Sequence, residues 1–254
     1  LSQELWNQLT TDIKKPLLNK YVGGQYSPGS TFKVITALAA LQEGIVDPNE
    51  KFYCSGKMRL GRREFHCWRE RGHGWLDMRN GIKNSCNVYF YNLAKRLDID
   101  RIAEMAVKFG LGQRYDLGFP EEKDGNVPTK AWKKARFNEP WVTGDTLNTS
   151  IGQGFLLTTP LQLAVMTARL ANGKNAVRPH LFRERQTGTG QPLQEDLESL
   201  NLDPGWLDII RRGMFAVMNE PGGTAFGSRL TGDSLSMAGK TGTVQVRGIS
   251  KEER

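Results

Sequence analysis

The apolar positions of this chain recur at helical spacing in several separate stretches. Phe32, Ile35, Leu38, Ala39 and Leu41 mark one helix, with Gly44 placed to close it. So apolar a run is expected to be buried at the centre of the fold. Thr159-Pro160 opens a second helix as N-cap and first-turn proline, with Leu163, Ala164, Thr167 and Leu170 as its inner face and Gly173 as its stop. Asp203-Pro204 opens a third, carrying Trp206, Ile209, Ile210, Met214 and Val217. Weaker helical spacing joins Leu5, Leu9 and Ile13, ended by Pro16. A helix starts at Asp77 and runs through Met78 and Ile82, another covers 88–94, and a short one covers 100–109, capped by Asp100 and stopped at Gly110.

Helical period is lost elsewhere. Residues 47–76 read as short strands or a hairpin: Phe52-Tyr53-Cys54, a turn near Gly61, then Glu64-Phe65-His66-Cys67-Trp68. Met237 to Val246 reads as a strand in which Ala238 and Gly239 allow close backbone approach. Residues 112–146, with three prolines and a basic patch at 130–136, read as a long loop lining a substrate groove. Residues 183–201 read as a polar surface excursion. No internal repeat or low-complexity tract is present.

Composition changes this picture little. With 254 residues, 38% hydrophobic and 24% charged, the chain suits one large domain or a domain with a subdomain, and excludes disorder throughout. The net charge of +8, from 35 Lys and Arg against 27 Asp and Glu, permits an acidic partner such as nucleic acid, anionic lipid or a cell-wall polymer, without choosing among them. Arg59, Arg62, Arg63, Arg69 and Arg71 are expected on a solvated face. No apolar run is long enough for a membrane span, and the stretch from Leu1 is expected to be domain sequence rather than a signal peptide.

The candidate chemistry begins at Tyr26-Ser27-Pro28-Gly29-Ser30-Thr31-Phe32-Lys33. Residues three apart share a helix face, so the Lys33 amine can reach the Ser30 hydroxyl. Serine is a poor nucleophile until a base takes its proton, and a dried lysine crowded by cations has its pKa lowered enough to do so. Alone, Ser-x-x-Lys is a weak signal, and Pro-Gly-Ser is also a plain helix start. Ser85-Cys86-Asn87 and Lys240-Thr241-Gly242-Thr243, in this chain order, raise it to the signature of penicillin-recognising serine enzymes. Ser199-Leu200-Asn201 is a decoy, since it lacks the apolar helix that follows Ser85.

With Gly152-Gln153-Gly154, the segment from Leu157 to Ala164, and Gly222-Gly223-Thr224-Ala225, the chain from about Tyr26 onward resembles the class B penicillin-binding proteins, most nearly the elongation-specific penicillin-binding protein 2 group. The resemblance implies an α+β transpeptidase fold: a five-stranded antiparallel sheet backed by helices, beside a helical subdomain. Residues 1–254 would be one such domain, helix-dominated, with an Arg-rich, Cys- and His-containing insertion at 47–76. Only 29 residues precede Ser30 and eleven follow Thr243, so the central sheet is expected to be incomplete and the domain truncated at both ends.

The implied activity is D,D-transpeptidation of peptidoglycan stem peptides, blocked by β-lactams, at the periplasmic face of the bacterial inner membrane. Implied partners are a membrane glycan polymerase and scaffold proteins of the elongation machinery, and no nucleic acid. Ser30 is implied as nucleophile and Lys33 as its base, with Ser85, Asn87 and Lys240 also catalytic and Thr241, Gly242 and Thr243 binding substrate. No cofactor is needed for that chemistry. The alternatives are a β-lactam or D-Ala-D-Ala hydrolase on the same scaffold, with Glu139 or Asp145 as the water-activating base, and a catalytically inactive scaffold or zinc module.

All three cysteines fall between positions 54 and 86, together with two histidines. Cys54, Cys67, His73 and Cys86 are expected to form a structural zinc site, against a disulfide with one free thiol or three unconnected buried cysteines. Some relatives resemble this in carrying a metal site near Ser-x-Asn. His66 is the rival fourth ligand, but adjoins Cys67 and would strain to meet the same ion. Cys86 lies between Ser85 and Asn87, so a metal behind them would hold both in place.

Overall fold

The structure, a computed structural model, describes residues 2–181, 197–232 and 235–244. Helix α1 (Gln3–Thr11) and the single turn α2 (Lys20–Gly23) lead in. A 3-10 turn, Gly29–Phe32, then feeds α3 (Lys33–Gln42). Every residue of α3 from Lys33 to Leu41 is buried, and Gly44 follows with φ +63°. α3 is buried on all sides because other helices pack around it: α5 (Asn87–Arg96), α6 (Ile99–Lys108) and α10 (Pro204–Asn219).

The Arg-rich segment forms four short strands, β1 (Phe52–Cys54), β2 (Lys57–Leu60), β3 (Arg63–His66) and β4 (Gly74–Leu76). β2 and β3 make the hairpin around Gly61, and β1 pairs with β4, with Cys54 opposite Gly74. The five arginines singled out there are exposed. Asp77 caps α4 (Met78–Lys83), which ends just before Ser85. Gly213 lets α4 lie close on α10, because a β-carbon there would stand 2.9 Å from the Ile82 side chain.

Several expectations are corrected. Helix α6 is capped by Asp98, whose side chain accepts from the Asp100 amide, so the cap lies two residues earlier. The stretch 112–146 is not one loop: α7 (Lys130–Phe137) runs from a Thr129 cap to the left-handed Asn138, and α8 (Thr143–Ser150) follows. Both are short and polar, and their caps rather than an apolar stripe define them. Helix α9 (Pro160–Asn172) has the expected Thr159 cap and Gly173 stop, but buries Leu161, Gln162, Val165, Met166, Arg169 and Leu170. The inner face is turned from the expected one because Gln162 and Arg169 are drawn inward by backbone carbonyls.

Residues 237–244 form no strand. A strand needs a neighbour to complete its ladder, and here the contacts come from α10: the Gly239 amide donates to the Met214 carbonyl (3.1 Å) and Asn219 Nδ2 to the Met237 carbonyl (2.8 Å). Among the described residues the two sheets are the two-stranded pairs of the Arg-rich segment. The expected strand's Gln245 and Val246, and residues 183–196 of the expected surface excursion, lie outside the described residues. Among the described residues no helix is long and apolar enough to cross a membrane.

Candidate active site and the adjoining cysteine cluster

Ser30 sits in the 3-10 turn, half-buried, and its carbonyl accepts from the Lys33 amide. It is not the N-cap of the helix; Pro28 starts the turn and no side chain caps it. The i to i+3 spacing of a 3-10 turn still stacks Ser30 and Lys33 on one side. Gly29 takes φ +57° there and donates to the Gly152 carbonyl at 2.9 Å. A β-carbon on Gly152 would stand 2.0 Å from the Gly29 oxygen, so this junction admits only glycine.

The Lys33 amine is fully buried and donates to the Ser85 carbonyl (2.7 Å), Ser85 Oγ (3.2 Å) and Asn87 Oδ1 (2.7 Å). These three acceptors match the three N–H bonds of an ammonium, so Lys33 bonds to the Ser-x-Asn turn and not to Ser30. Lys240 Nζ lies 2.8 Å from the same Ser85 oxygen. Burial, and then the charge of Lys240, bring the Lys33 pKa down to about 7; burial alone brings Lys240 to about 7. The structure therefore brings Lys33, Ser85, Asn87 and Lys240 into one hydrogen-bonded chain, one 3-10 turn from Ser30.

Ser85 is a non-glycine residue at φ +49°, a left-handed conformation that costs it about 1 kcal/mol. It is held by its amide donating to the Ile82 carbonyl and by Lys33. Strain of this kind persists where surroundings over-determine it. Asn87 is fixed from both ends, since its Nδ2 donates to the His66 carbonyl at 3.1 Å. Tyr91 donates to that same carbonyl.

From the other side, Gly242 packs under Thr31; a β-carbon there would stand 3.1 Å from its methyl group. The Thr241 hydroxyl lies 2.8 Å from that of Thr224. The sequence reading did not assign a role to Thr224, nor to the His66 carbonyl. Position in Gly-Gly-Thr was a signal for the first; nothing in sequence marks a backbone acceptor.

Behind Ser85 and Asn87, Cys86 points inward, fully buried. The sulfurs of Cys54, Cys67 and Cys86 and a ring nitrogen of His73 all lie within 4.8 Å of one another. His73 Nδ1 is 3.6 Å from both Cys54 and Cys67 Sγ, and the Cys67 and Cys86 sulfurs are 4.0 Å apart. No disulfide joins them. Hydrogen bonds from Cys54 and Cys86 hold the Cys67 thiol far below the usual thiol range. Burial pulls His73 down, but the Cys54 and Cys67 sulfurs outweigh it and raise the ring to about 9. His66 is exposed and 4.0 Å from Glu64, outside the cluster.

The penicillin binding protein transpeptidase domain family matches residues 3–254. The chain belongs to that family. It is 33% identical, over 100% of its length, to the peptidoglycan D,D-transpeptidase MrdA of Haemophilus influenzae, and 35% identical over 98% to that of Acinetobacter baumannii. It spans 40% and 37% of those relatives' lengths. Among solved structures it superposes on Pseudomonas aeruginosa PBP2 in complex with WCK 5153 with a TM-score of 0.86 and 36% identity, covering 97% of this chain and 56% of that one. The PBP2 of the Helicobacter pylori PBP2–MreC complex gives 0.86 and 34%, covering 97% and 45%. The transpeptidase fold, helix-dominated α+β, is thus established for the chain. In this transpeptidase domain the three motifs meet although 210 positions separate Ser30 from Lys240.

Proposed function

We propose that this chain is the catalytic domain of a peptidoglycan D,D-transpeptidase of cell-wall elongation, working through an acyl-enzyme on Ser30. The observation that carries the reading is the chain Asn87–Lys33–Ser85–Lys240, with a buried and a half-buried lysine, each of pKa near 7, sharing one serine hydroxyl. A neutral Lys33 takes the Ser30 proton as the Ser30 oxygen attacks the carbonyl of the penultimate D-alanine. The Ser30 and Thr243 amides stabilise the oxyanion. The Ser85 hydroxyl accepts from one amine and donates to the other, which lets the proton pass toward the departing D-alanine nitrogen as its bond breaks. Asn87 holds the substrate amide, and Lys240, Thr241 and Thr243 hold the terminal carboxylate, with Gly242 leaving room beside them. The amine of a second stem peptide then resolves the ester into a cross-link. β-Lactams acylate the same oxygen.

Residues 1–254 serve as one transpeptidase domain in this reading, with 47–76 as an inserted element. The hydrolase alternative is disfavoured because Asp145 is engaged by Lys133 Nζ (2.7 Å) and the Val142 amide (3.1 Å), and Glu139 lies 3.7 Å from the same lysine. The solved neighbours bear on partners: one is a PBP2–MreC complex and another is a peptidoglycan synthase complex. They support a scaffold protein and a glycan polymerase as partners, and the transpeptidase reading would put the domain at the periplasmic face of the inner membrane, where peptidoglycan is cross-linked. Benzylpenicillin followed by mass spectrometry tests the reading. It should add one penicilloyl group at Ser30 of the full-length protein and none in Ser30→Ala; a labelled Ser30→Ala would end it.

Cys54, Cys67, His73 and Cys86 would hold a structural zinc ion. Tetrahedral zinc with sulfur near 2.3 Å and nitrogen near 2.1 Å requires donor separations of roughly 3.5–3.8 Å; three of the six donor pairs here stand at 3.6, 3.6 and 4.0 Å, and all six lie within 4.8 Å, so the donors would draw in slightly around an ion. Four protein donors would leave no open position, so a zinc ion there would supply bracing and no catalysis. The chain's own part is to tie β1, the end of β3 and the Ser-x-Asn turn together, so that the His66 carbonyl meets Asn87.

A further inference from the structure

The turn after α10 reaches the substrate-binding motif. Glu220, the last residue of that helix's cap, takes hydrogen bonds from Arg79 and from Lys83 Nζ (3.1 Å), both on α4. Gly223 must be glycine, because a β-carbon would stand 2.4 Å from the Ala216 and Val217 carbonyl oxygens. The Thr224 amide then faces the Lys83 carbonyl at 3.4 Å and the Ala225 amide donates to Val217 at 3.1 Å. So Thr224 is anchored to the helix that delivers Ser85, while its hydroxyl lies 2.8 Å from that of Thr241. Among the described residues that hydroxyl has no other hydrogen-bond partner.

Thr241 Oγ1 also lies 3.5 Å from Lys240 Nζ, which as an ammonium can only donate. A hydroxyl has one proton and two lone pairs, and an ionised carboxylate only accepts. Once a substrate carboxylate arrives, Thr241 must give it that single proton. The Thr224–Thr241 bond then survives only with Thr224 as donor. We infer that Thr224 is a positioning residue for carboxylate recognition: it donates into Thr241 and aims the Thr241 proton at the substrate's terminal carboxylate. This rests on the transpeptidase reading above, and adds to it a residue that sets specificity for an acid over its neutral analogue.

The test compares second-order acylation rates of the full-length protein by benzylpenicillin and by its methyl ester, whose carboxylate is masked. Thr224→Val keeps the shape and removes the hydroxyl; it should slow benzylpenicillin about tenfold, the size of one lost hydrogen bond, and leave the methyl ester rate unchanged. Thr224→Ser should restore the benzylpenicillin rate to within about twofold. The ratio of the two rates does not depend on the fraction of protein folded, so a destabilised variant still reports. An unchanged benzylpenicillin rate in Thr224→Val, or an equal loss on both compounds, overturns the inference alone. Wild type that benzylpenicillin does not acylate overturns the transpeptidase reading and this inference with it.

Discussion

A β-carbon on Gly29 would stand 2.5 Å from the carbonyl oxygen of Thr243. The turn that carries Ser30 and the segment that carries Lys240 therefore touch at a point where no side chain fits. Two amides are proposed to meet an oxyanion there, one from each side. Any side chain at Gly29 must push them apart, besides adopting φ +57°.

Gly29→Ala should accordingly fail in chemistry more than in folding. Loss of one oxyanion donor costs about 10²–10³ in rate, whereas a non-glycine residue at this φ costs about 1–2 kcal/mol. Labelling by a fluorescent penicillin should fall at least a hundredfold while the melting temperature drops by only a few degrees. Near-normal labelling would show that Thr243 does not depend on this contact.

The pH dependence follows from the two lysines. Lys33 is lowered from 10.5 to about 7 by burial and by Lys240, so its neutral, basic form grows as pH rises through 7. Lys240, lowered by burial to about 7, loses the charge that faces a carboxylate over the same range. Acylation by benzylpenicillin should thus be bell-shaped and narrow around neutrality, with both limbs belonging to the coupled pair. Lys240→Arg keeps the charge at high pH and should remove the alkaline limb. Lys33→Arg cannot act as a base and should abolish acylation at every pH. A flat profile between pH 5 and 9 would contradict the assignment.

How much of this was legible depends on the kind of signal. Capped, apolar helices were: Thr159-Pro160 and Gly173 bracket α9, and Phe32 to Leu41 is buried throughout α3. The inner face of α9 was not, since Gln162 and Arg169 look solvent-facing until their carbonyl partners are known. Helix α7 was hidden because Lys130, Lys133, Lys134 and Arg136 resemble a solvated run, although Thr129 caps it. Over the described residues 237–244 the expected strand failed for the opposite reason: its residues favour a strand, but a ladder requires a partner that no local pattern supplies. At the site, residue types and order pointed to Ser30, Lys33, Ser85, Asn87 and Lys240. The Lys33 contacts with the Ser85 backbone and the contact of Thr224 with Thr241 arise only from the tertiary fold.

Asp145 separates the two enzymatic readings. It accepts from the Val142 amide at the start of α8 and from Lys133. Asp145→Asn should lower stability by about 1 kcal/mol, as for a weakened cap, and leave the lifetime of the penicilloyl adduct unchanged. An adduct made several times longer-lived would instead identify Asp145 as the base that activates a deacylating water.

The cysteine cluster makes the last prediction. Three sulfurs gathered within 4.8 Å of one another and of a ring nitrogen, without a disulfide, are the donor types that suit a structural zinc ion. Purified full-length protein should contain one equivalent of zinc by elemental analysis. Cys67→Ser should remove it and lower the melting temperature by more than about 5 °C, since structural zinc supplies folding free energy directly. Acylation should suffer less, because Cys67 touches Asn87 only through the neighbouring His66 carbonyl. His66→Ala should leave both zinc content and acylation intact, because Asn87 uses the backbone oxygen of that residue and its ring lies outside the cluster. Zinc lost from His66→Ala but retained in His73→Ala would reverse the assignment of the fourth ligand. Metal-free protein that melts and acylates like wild type would remove the metal from the account altogether.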